Sequence, residues 1–216
     1  MIAMEIQITP HTEKLQSLQI LYGNPNLSPI YGAGCTENPR LAFLFMNPIQ
    51  SIASIPEWKG IRAPWVGSKS IWRMLIQLNL ISQQEFLLTQ ELESTEWTPE
   101  FVQQIYSTLA DNRIYITNLA KCTQNDARPL DNATFQAYLP YTQEELKIIQ
   151  PQSIIAFGNQ VSSIFIQKPI SISAYTESYE LVNINGLEIP VYPTYYPVGI
   201  GIRNMPKAIE RIQSLL

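Results

Sequence analysis

Short apolar runs alternate along the chain with longer stretches in which apolar residues recur every three or four positions. A short apolar run is typical of a strand buried on both faces of a parallel sheet, and the longer spacing predicts amphipathic helices. The predicted strands lie at 41–46, 113–117, 153–157 and 187–192, the last joined to 181–184 by the hairpin signal Asn185-Gly186.

The helical spacing occupies the segments between and around these runs. The predicted helices lie at 10–22, 68–78, from 99 onward, 134–149, 159–164 and 205–216. Because strands alternate with helices, we predict an α/β fold, a three-layer α/β/α sandwich around a central, mainly parallel four-stranded sheet. We expect residues 1–216 to form a single domain, in which 1–40 make an N-terminal helical and loop extension.

Composition narrows the class of protein. The 216 residues are 45% hydrophobic and 15% charged, which excludes a disordered chain. No apolar run approaches the ~20 residues of a membrane span, and the first residues lack the pattern of a signal peptide, so we expect a cytoplasmic protein. With only two cysteines and one histidine, we expect no metal site, iron–sulfur cluster or other cofactor.

The net charge of −4 argues against nucleic acid as a partner, but the charges are unevenly distributed. Residues 41–81 hold four basic residues and one acidic residue, whereas 82–112 hold six acidic residues and no basic one. A chain with separated charge can carry a local positive field. The acidic stretch is better explained as a solvated helical face.

Three of the predicted strands end in unusual loops that carry polar or aromatic residues. These loops begin with Met46-Asn47-Pro48, Thr117-Asn118-Leu119 and Pro193-Thr194-Tyr195-Tyr196-Pro197. Ligands of parallel α/β sheets bind beyond the carboxyl ends of the strands. We therefore expect a binding or catalytic site where these loops meet.

In this order, the loops resemble the motifs of the uracil-DNA glycosylase superfamily, in its family-4 and single-strand-selective branches. The similar segments are FLFMNP at 43–48, APWVGS at 63–68, IYITNLAKC at 114–122, SIIAFGNQVSSIF at 153–165 and YPVGIG at 196–201. The resemblance covers residues 40–216 and implies a metal-independent DNA N-glycosylase, which hydrolyses the bond between a flipped base and its sugar.

The chain also departs from that pattern. Family-4 proteins hold an iron–sulfur cluster on four cysteines, but here Cys122 alone falls on such a position and Tyr138 stands near the next. Ile49 replaces a usual glycine in the first motif. Tyr196 and Val198 stand in the second motif where His or Asn and Ser are expected. We therefore expect the chain to have the fold of this superfamily, whereas its sequence leaves open whether it has the catalytic activity.

The resemblance implies a role for four residues, and each role has a structural alternative. Asn118 would read uracil through its amide, because one donor and one acceptor match uracil and oppose cytosine, or it makes a turn. Asn47 would orient the attacking water, or it starts a loop. Trp65 would stack on the base, or it packs in the core. Tyr196 would donate to the departing base, or it packs at the strand end.

Four further residues are candidates for DNA contact. Ser68 and Lys69, at the predicted start of a helix that Ser68 would cap, form a phosphate site. In the glycine-containing loop at 198–202, Ile200 or Ile202 would wedge into a base step, with Arg203 beside it to meet a phosphate.

Three functions remain in competition. The leading one is a glycosylase that acts on uracil, or a related damaged base, in DNA. The second is a nucleic-acid- or nucleobase-binding protein that kept the fold and lost the chemistry, which Tyr196 and the acidic charge favour. The third is an α/β domain that binds a partner protein. We expect a monomer with no membrane partner.

Overall fold

A computed structural model describes residues 5–128 and 130–216. The first four residues of the expected N-terminal extension, and Pro129 in the loop after the second predicted strand, lie outside the described residues. No helix of the described ranges has the length and apolar character that crossing a membrane requires.

One sheet of six strands forms the centre of the described fold. The strands are β1 (Ala33–Gly34), β2 (Leu41–Phe45), β3 (Ile114–Asn118), β4 (Ile154–Phe157), β5 (Glu180–Ile184) and β6 (Leu187–Thr194). Their order across the sheet is β1-β3-β2-β4-β6-β5. The four central strands, β3, β2, β4 and β6, run parallel, and β1 and β5 add an antiparallel strand at each edge. The predicted parallel core of four strands is therefore present, but the sheet has six strands. Of the two edge strands, β5 is the predicted partner in the hairpin, and β1 was not predicted.

Seven α-helices of the described residues cover the two faces of this sheet. They are α1 (Thr12–Tyr22), α2 (Trp72–Gln77), α3 (Gln83–Glu91), α4 (Pro99–Asp111), α5 (Asn132–Ile149), α6 (Asn159–Ile166) and α7 (Met205–Gln213). Apolar residues of α2, α4 and α7 pack on one face and those of α1, α5 and α6 on the other. The predicted three-layer α/β/α sandwich is confirmed.

The central strands are apolar throughout because both of their faces are covered. In β2, Phe43 and Phe45 point into the cluster with α2, α4 and α7, whereas Ala42 and Leu44 point into the cluster with α5 and α6. Every residue of β2, β3 and β4 is buried. A strand without polar alternation is thus explained by helices on both sides of the sheet.

The hairpin at the far edge forms as its sequence predicts. Asn185 and Gly186 both have a positive φ, as the tightest hairpin turn requires, and they connect β5 to β6. Because β6 pairs with β4 on its other side, this hairpin brings the end of β6 to the same sheet edge as the ends of β2 and β3.

Two helices differ from the sequence prediction. The helix predicted from residue 68 begins at Trp72, and Ile71 rather than Ser68 precedes its first turn. The cap by Ser68 is therefore wrong, because residues 65–68 form a turn in which Ser68 N–H donates to the Trp65 carbonyl at 3.1 Å. Helix α3 was not predicted, although its start carries a capping box in which Ser82 and Glu85 bond reciprocally.

The N-terminal segment is fastened to the domain by polar as well as apolar contacts. It supplies β1 to the sheet, and on α1 the buried residues are Leu15 and Gln19, while Leu21 is exposed. Gln19 exchanges two hydrogen bonds with the backbone of Thr123, at 2.8 and 3.1 Å. The spacing of apolar residues in α1 did not predict the burial of Gln19, because that burial depends on Thr123, which is distant in sequence.

Candidate functional site

Four strands end at one edge of the sheet and present the predicted site residues there. Asn118 is the last residue of β3, Asn47 follows β2 by two residues, and Tyr196 follows β6 by two residues. Gly158, with φ +90°, follows β4 directly and opens α6. The parallel order of these strands is the reason that residues so far apart in sequence meet.

A cavity of about 380 Å³ lies at this edge. The residues that line it come from the loop after β2, the ends of β3 and β6, and the long segment before α2. They are Ile30, Asn47, Pro48, Ile49, Gln50, Ser51, Ala63, Pro64, Trp65, Val66, Gly67, Ser68, Ser70, Asn118, Ala127, Tyr196, Val198 and Gly199. The cavity thus brings together Asn47, Trp65, Asn118 and Tyr196.

The lining of the cavity is uncharged. None of the described residues that surround it is an Asp, Glu, Lys, Arg or His. Its polar groups are amides, hydroxyls, one phenol and the indole N–H of Trp65, set among apolar side chains. Such a surface fits a neutral, flat ligand with hydrogen-bonding edges better than an ionised one, because a charge would lose its hydration without a partner.

Asn118 is the most constrained polar group of the cavity. Its side chain is 3% exposed, and its Nδ2 has no hydrogen-bond partner among the described residues. A buried amide nitrogen without an acceptor is costly, typically about 1–3 kcal/mol. The cavity therefore offers a donor that an acceptor atom of a ligand would satisfy.

The loop that follows Asn118 is tied to the loop that carries Asn47. Leu119 N–H donates to the Phe45 carbonyl at 2.8 Å, and Ala120 N–H donates to the Met46 carbonyl at 3.0 Å. Further along, Gln124 N–H donates to the Pro48 carbonyl at 3.1 Å. These backbone bonds hold the two asparagines in a fixed relative position.

Asn47 itself is half-buried and weakly held. Its Nδ2 donates to the Pro48 carbonyl at 3.3 Å, at the long end of hydrogen-bond distances. This contact turns the amide nitrogen toward its own loop. The contact is consistent with the alternative given for Asn47, that it starts a loop. It leaves the side-chain oxygen as an acceptor in the cavity wall.

Trp65 adopts a backbone conformation that is uncommon for a large side chain. Its φ is +66°, in the left-handed region that costs a non-glycine residue about 1–3 kcal/mol. Its ring contacts Phe45 edge-on with centroids 5.0 Å apart. The buried Tyr106 of α4 donates its hydroxyl to the Pro64 carbonyl and so fixes the residue before Trp65.

Tyr196, like Trp65, contacts the ring of Phe45. The Tyr196 and Phe45 centroids are 6.2 Å apart, again edge-on. Burial raises the pKa of the Tyr196 phenol to about 12, so the hydroxyl stays protonated at neutral pH and can donate. A Cβ at Gly201 would meet the Tyr196 carbonyl at 2.0 Å, so glycine is required for the turn to pass this close.

The four residues predicted to contact DNA are not gathered as the cavity residues are. Ser68 lines the cavity, with its Oγ 3.5 Å from that of Ser70, whereas Lys69 pairs with Glu93 at 3.4 Å. Ile200 is 93% exposed on the short 3₁₀ helix Gly199–Asn204, and Arg203 is exposed beside it. Because α2 begins at Trp72, Ser68 and Lys69 do not form the predicted helix-start phosphate site.

A buried charged network behind Asn118 was missed by the sequence analysis. Lys121 and Glu145 are 1% and 2% exposed, and their side chains contact at 2.5 Å. Burial lowers the pKa of the Lys121 ammonium, and the Glu145 carboxylate opposes that effect. The sequence did offer one sign of this network. The lysine in NLAKC is a charged residue only three positions after the end of β3, in which every residue is buried.

The match to a known family spans most of this architecture. Residues 32–213 match the family described as the uracil DNA glycosylase superfamily. The chain belongs to this superfamily. The matched range contains the whole parallel sheet and all four cavity residues named by the sequence analysis. The protein is thus uracil-DNA glycosylase-like, as its resemblance implied.

One characterised relative refines this assignment. The chain is 31% identical over 95 residues to the Type-4 uracil-DNA glycosylase of Saccharolobus solfataricus. The aligned part is 42% of this chain and 44% of that protein, so the chain spans less than half the length of the relative. The likeness to the family-4 branch is confirmed over that part.

The cysteines of this superfamily member do not fit a four-cysteine iron–sulfur cluster. Cys35 and Cys122 lie in hydrophobic clusters on opposite faces of the sheet. Tyr138 is fully buried and packs against Tyr22 with ring centroids 6.3 Å apart. Across the described ranges, no group of three or more His, Cys, Asp or Glu is placed to hold a metal ion.

Proposed function

We propose that this protein hydrolyses the N-glycosidic bond of uracil, or of a related damaged base, flipped out of DNA, without a metal. The observation that carries the proposal is the unpartnered, buried amide of Asn118 in an uncharged cavity at the carboxyl edge of the sheet. Membership of the uracil DNA glycosylase superfamily supports this class of reaction.

In this proposal, Asn118 reads the Watson–Crick edge of the base. Its Nδ2 donates to O4 of uracil and its Oδ1 accepts from N3–H, so both groups of the amide are used. Cytosine presents a donor and an acceptor in the opposite order, so it would leave the buried Nδ2 facing another donor. Trp65 supplies a surface on which the flipped base stacks.

Cleavage in this cavity rests on neutral groups. Asn47 orients a water at the sugar through its side-chain oxygen, since an amide cannot take up the proton as a carboxylate does. Water adds to C1′ of the sugar while the bond to N1 of the base breaks with its electron pair on N1, and the proton that the water loses passes through solvent to the departing base. Until then the base carries negative charge, which the Nδ2 of Asn118 and the hydroxyl of Tyr196 stabilise by donation. The low polarity of the lining strengthens both hydrogen bonds.

DNA contact in this proposal comes from the exposed turn after β6. Ile200 enters a base step as an apolar wedge, and Arg203 contacts a phosphate next to it. Although no helix begins at Ser68, its hydroxyl lines the cavity and contacts the sugar–phosphate backbone of the DNA in this proposal. Lys69 adds positive charge when it leaves Glu93. The superfamily match supports DNA as the partner.

A second function is favoured by one specific feature, the tyrosine at position 196. Its bulk beside Phe45 narrows the part of the cavity in which a leaving base would be stabilised. A protein that binds a flipped base or a free nucleobase, and does not cleave the bond, has the same need for Asn118 and Trp65. This second candidate predicts tight binding without abasic sites.

The decisive experiment combines cleavage and binding. The protein is incubated with uracil-containing single and double strands, alkali reveals abasic sites, and binding is measured on the same strands. We expect cleavage by the wild type. We expect Asn118→Asp to lose discrimination, because a carboxylate accepts from N3–H but repels O4 and penalises cytosine less.

Each outcome selects one function. Cleavage that Asn118→Asp leaves unchanged contradicts the role of Asn118. Salt-dependent binding without cleavage selects the binding protein. No binding to any strand, and none to free uracil in the same assay, contradicts both and favours the third function, a domain that binds a partner protein.

A further inference from the structure

The ammonium of Lys121 uses all three of its donors on fixed oxygens. It contacts Glu145 Oε2 at 2.5 Å, Thr117 Oγ1 at 2.6 Å and the backbone carbonyl of Asn118 at 2.5 Å. An ammonium has three N–H groups, so this set leaves none free. The third contact reaches the residue whose side chain faces the cavity.

The carboxylate of Glu145 closes the network from the opposite side. Its Oε1 accepts from Tyr115 OH at 2.8 Å and from Thr117 Oγ1 at 2.7 Å, while its Oε2 is held by Lys121. None of these side chains lines the cavity. The network therefore lies behind the site and touches a bound ligand only through Asn118.

The position of this network is not explained by stability alone. A buried ion pair loses much of its attraction to desolvation, and apolar residues of similar volume often replace it without loss. What apolar residues cannot do is hold the Asn118 carbonyl, at the point where β3 ends and the chain turns. The Leu119 carbonyl next to it is held in a similar way by Thr142 Oγ1 at 2.8 Å.

We propose that Lys121 is a positioning residue, which fixes the peptide of Asn118 and thereby sets the discrimination between uracil and cytosine. The proposal rests on the proposed role of Asn118. Rotation of this peptide moves the amide at the end of the side chain, and a misplacement of ~1 Å in a site can cost about 10²-fold. Lys121 acts at a distance from the substrate and contacts neither base nor sugar.

The test compares two variants that differ in the ammonium of Lys121 and therefore in its contact with the Asn118 carbonyl. Glu145→Gln removes the buried negative charge but keeps Lys121 within reach of the Asn118 carbonyl. Adding Lys121→Met then removes the ammonium without leaving an unpaired carboxylate in the core. Tyr115→Phe is the matched control, since it removes one bond to Glu145 and none to Asn118.

The first readout is the ratio of cleavage rates on uracil and cytosine strands, measured below the melting temperature of every variant. We expect Glu145→Gln and Tyr115→Phe to stay within about threefold of the wild-type ratio. In the double variant, we expect the ratio of cleavage rates to fall about tenfold to a hundredfold. A double variant with the wild-type ratio overturns the proposal, and an equal loss in Glu145→Gln also overturns it.

The second readout does not depend on activity. The side-chain amide of Asn118 is followed in a ¹H–¹⁵N spectrum of the whole protein, assigned by its loss in Asn118→Asp. We expect it to shift in the double variant and to stay in place in Tyr115→Phe. A wild type without cleavage refutes the proposed function, and the spectra then still decide whether Lys121 positions Asn118. Unchanged spectra in the double variant refute the positioning role.

Discussion

The two ends of the cavity are built in opposite ways. At the end of β3, Asn118 is buried, its backbone is held by Lys121, and the following residues are bonded to the loop of Asn47. At the end of β6, the short helix Gly199–Asn204 contains no buried residue and exposes Ile200 almost completely. Recognition of a small ligand requires fixed groups, whereas contact with a large partner requires exposed ones.

Both regions lie at the carboxyl ends of parallel strands, so the sheet alone does not account for the difference. The β3 side is covered by α5, which supplies Glu145 and Thr142 to the loop. On the β6 side, the 3₁₀ helix Gly199–Asn204 has no buried residue, and its turn is closed locally by Gly201 N–H, which donates to the Val198 carbonyl at 3.0 Å. The difference predicts separate effects on chemistry and on DNA binding.

The largest effect is expected from Asn47→Ala on the fixed side. Loss of one positioned polar contact in a site typically costs about 10²–10³ in rate. We expect that loss in single-turnover cleavage of a uracil strand, with binding nearly unchanged, because the contact acts mainly in the transition state. Asn26→Ala, at an exposed asparagine, is the control and keeps the wild-type rate.

The contradicting outcome for Asn47 is a loss in binding as large as the loss in rate. That result would assign Asn47 to holding the DNA or the loop. It would remove the contrast between a chemical side and a binding side of the cavity.

A smaller effect is expected from Ile200→Ser on the exposed side. An apolar wedge offsets the cost of unstacking a base step, which is a few kcal/mol. We expect uracil in a duplex to be bound and cleaved about tenfold less well, whereas a single strand changes little because it has no stacked partner strand to open. Leu181→Ser, an exposed apolar residue on the distant strand β5, should change neither substrate.

If Ile200→Ser reduces binding and cleavage equally for single and double strands, the proposed role of Ile200 as a wedge is contradicted. Ile200 would then contact the strand itself, and the exposed turn would belong to the base-recognition side. Binding is measured at several salt concentrations, so that the proposed phosphate contact of Arg203 is separated from the proposed apolar contact of Ile200.

The smallest effect is expected from pH. No described residue of the cavity lining titrates near neutrality, and burial raises the pKa of Tyr196 to about 12. Since a phenol donates only while protonated, Tyr196 keeps its role throughout, and the cleavage rate should vary less than about threefold between pH 6 and pH 9. A bell-shaped profile centred near pH 7 would show that a group outside the cavity takes part.

The raised pKa of Tyr196 also predicts how the free energy of unfolding changes with pH. In the unfolded chain its phenol ionises near pH 10, and in the folded protein only near pH 12. The folded state therefore binds more protons across this window, so the free energy of unfolding should fall as pH rises through it. Tyr196→Phe should reduce that fall, as followed by thermal unfolding.

Much of the fold was predictable because its signals are local. The apolar runs of β2, β3 and β4 and the Asn185-Gly186 turn predicted their elements without any partner. Helix α3 was not predicted because its sequence lacks such a local apolar signal. The late start of α2 was not predicted either, because it depends on the turn at residues 65–68. Buried residues of α3 include Glu85 and Thr89, so its helical face carries little apolar signal.

The candidate site was predictable in part, through residues that stand at strand ends. Asn47, Asn118 and Tyr196 were located by their position after apolar runs, and the structure brings them to one cavity with Trp65. Their roles stay predictions. The charged pair Lys121–Glu145 escaped because its two residues are 24 positions apart and become partners only when α5 packs on β3.

The amino-acid sequence by itself determined the class of fold, the order of five of the six strands and of six of the seven α-helices that the structure describes, and the scarcity of metal-binding side chains. These follow from periodicity and composition, which act over a few residues at a time. Only the tertiary structure decided that Asn118 is buried with an unpartnered amide, that Trp65 has a positive φ, and that Ile200 is exposed. Those properties depend on what packs against each residue, because burial and unsatisfied hydrogen bonds arise from contacts between segments distant in the chain.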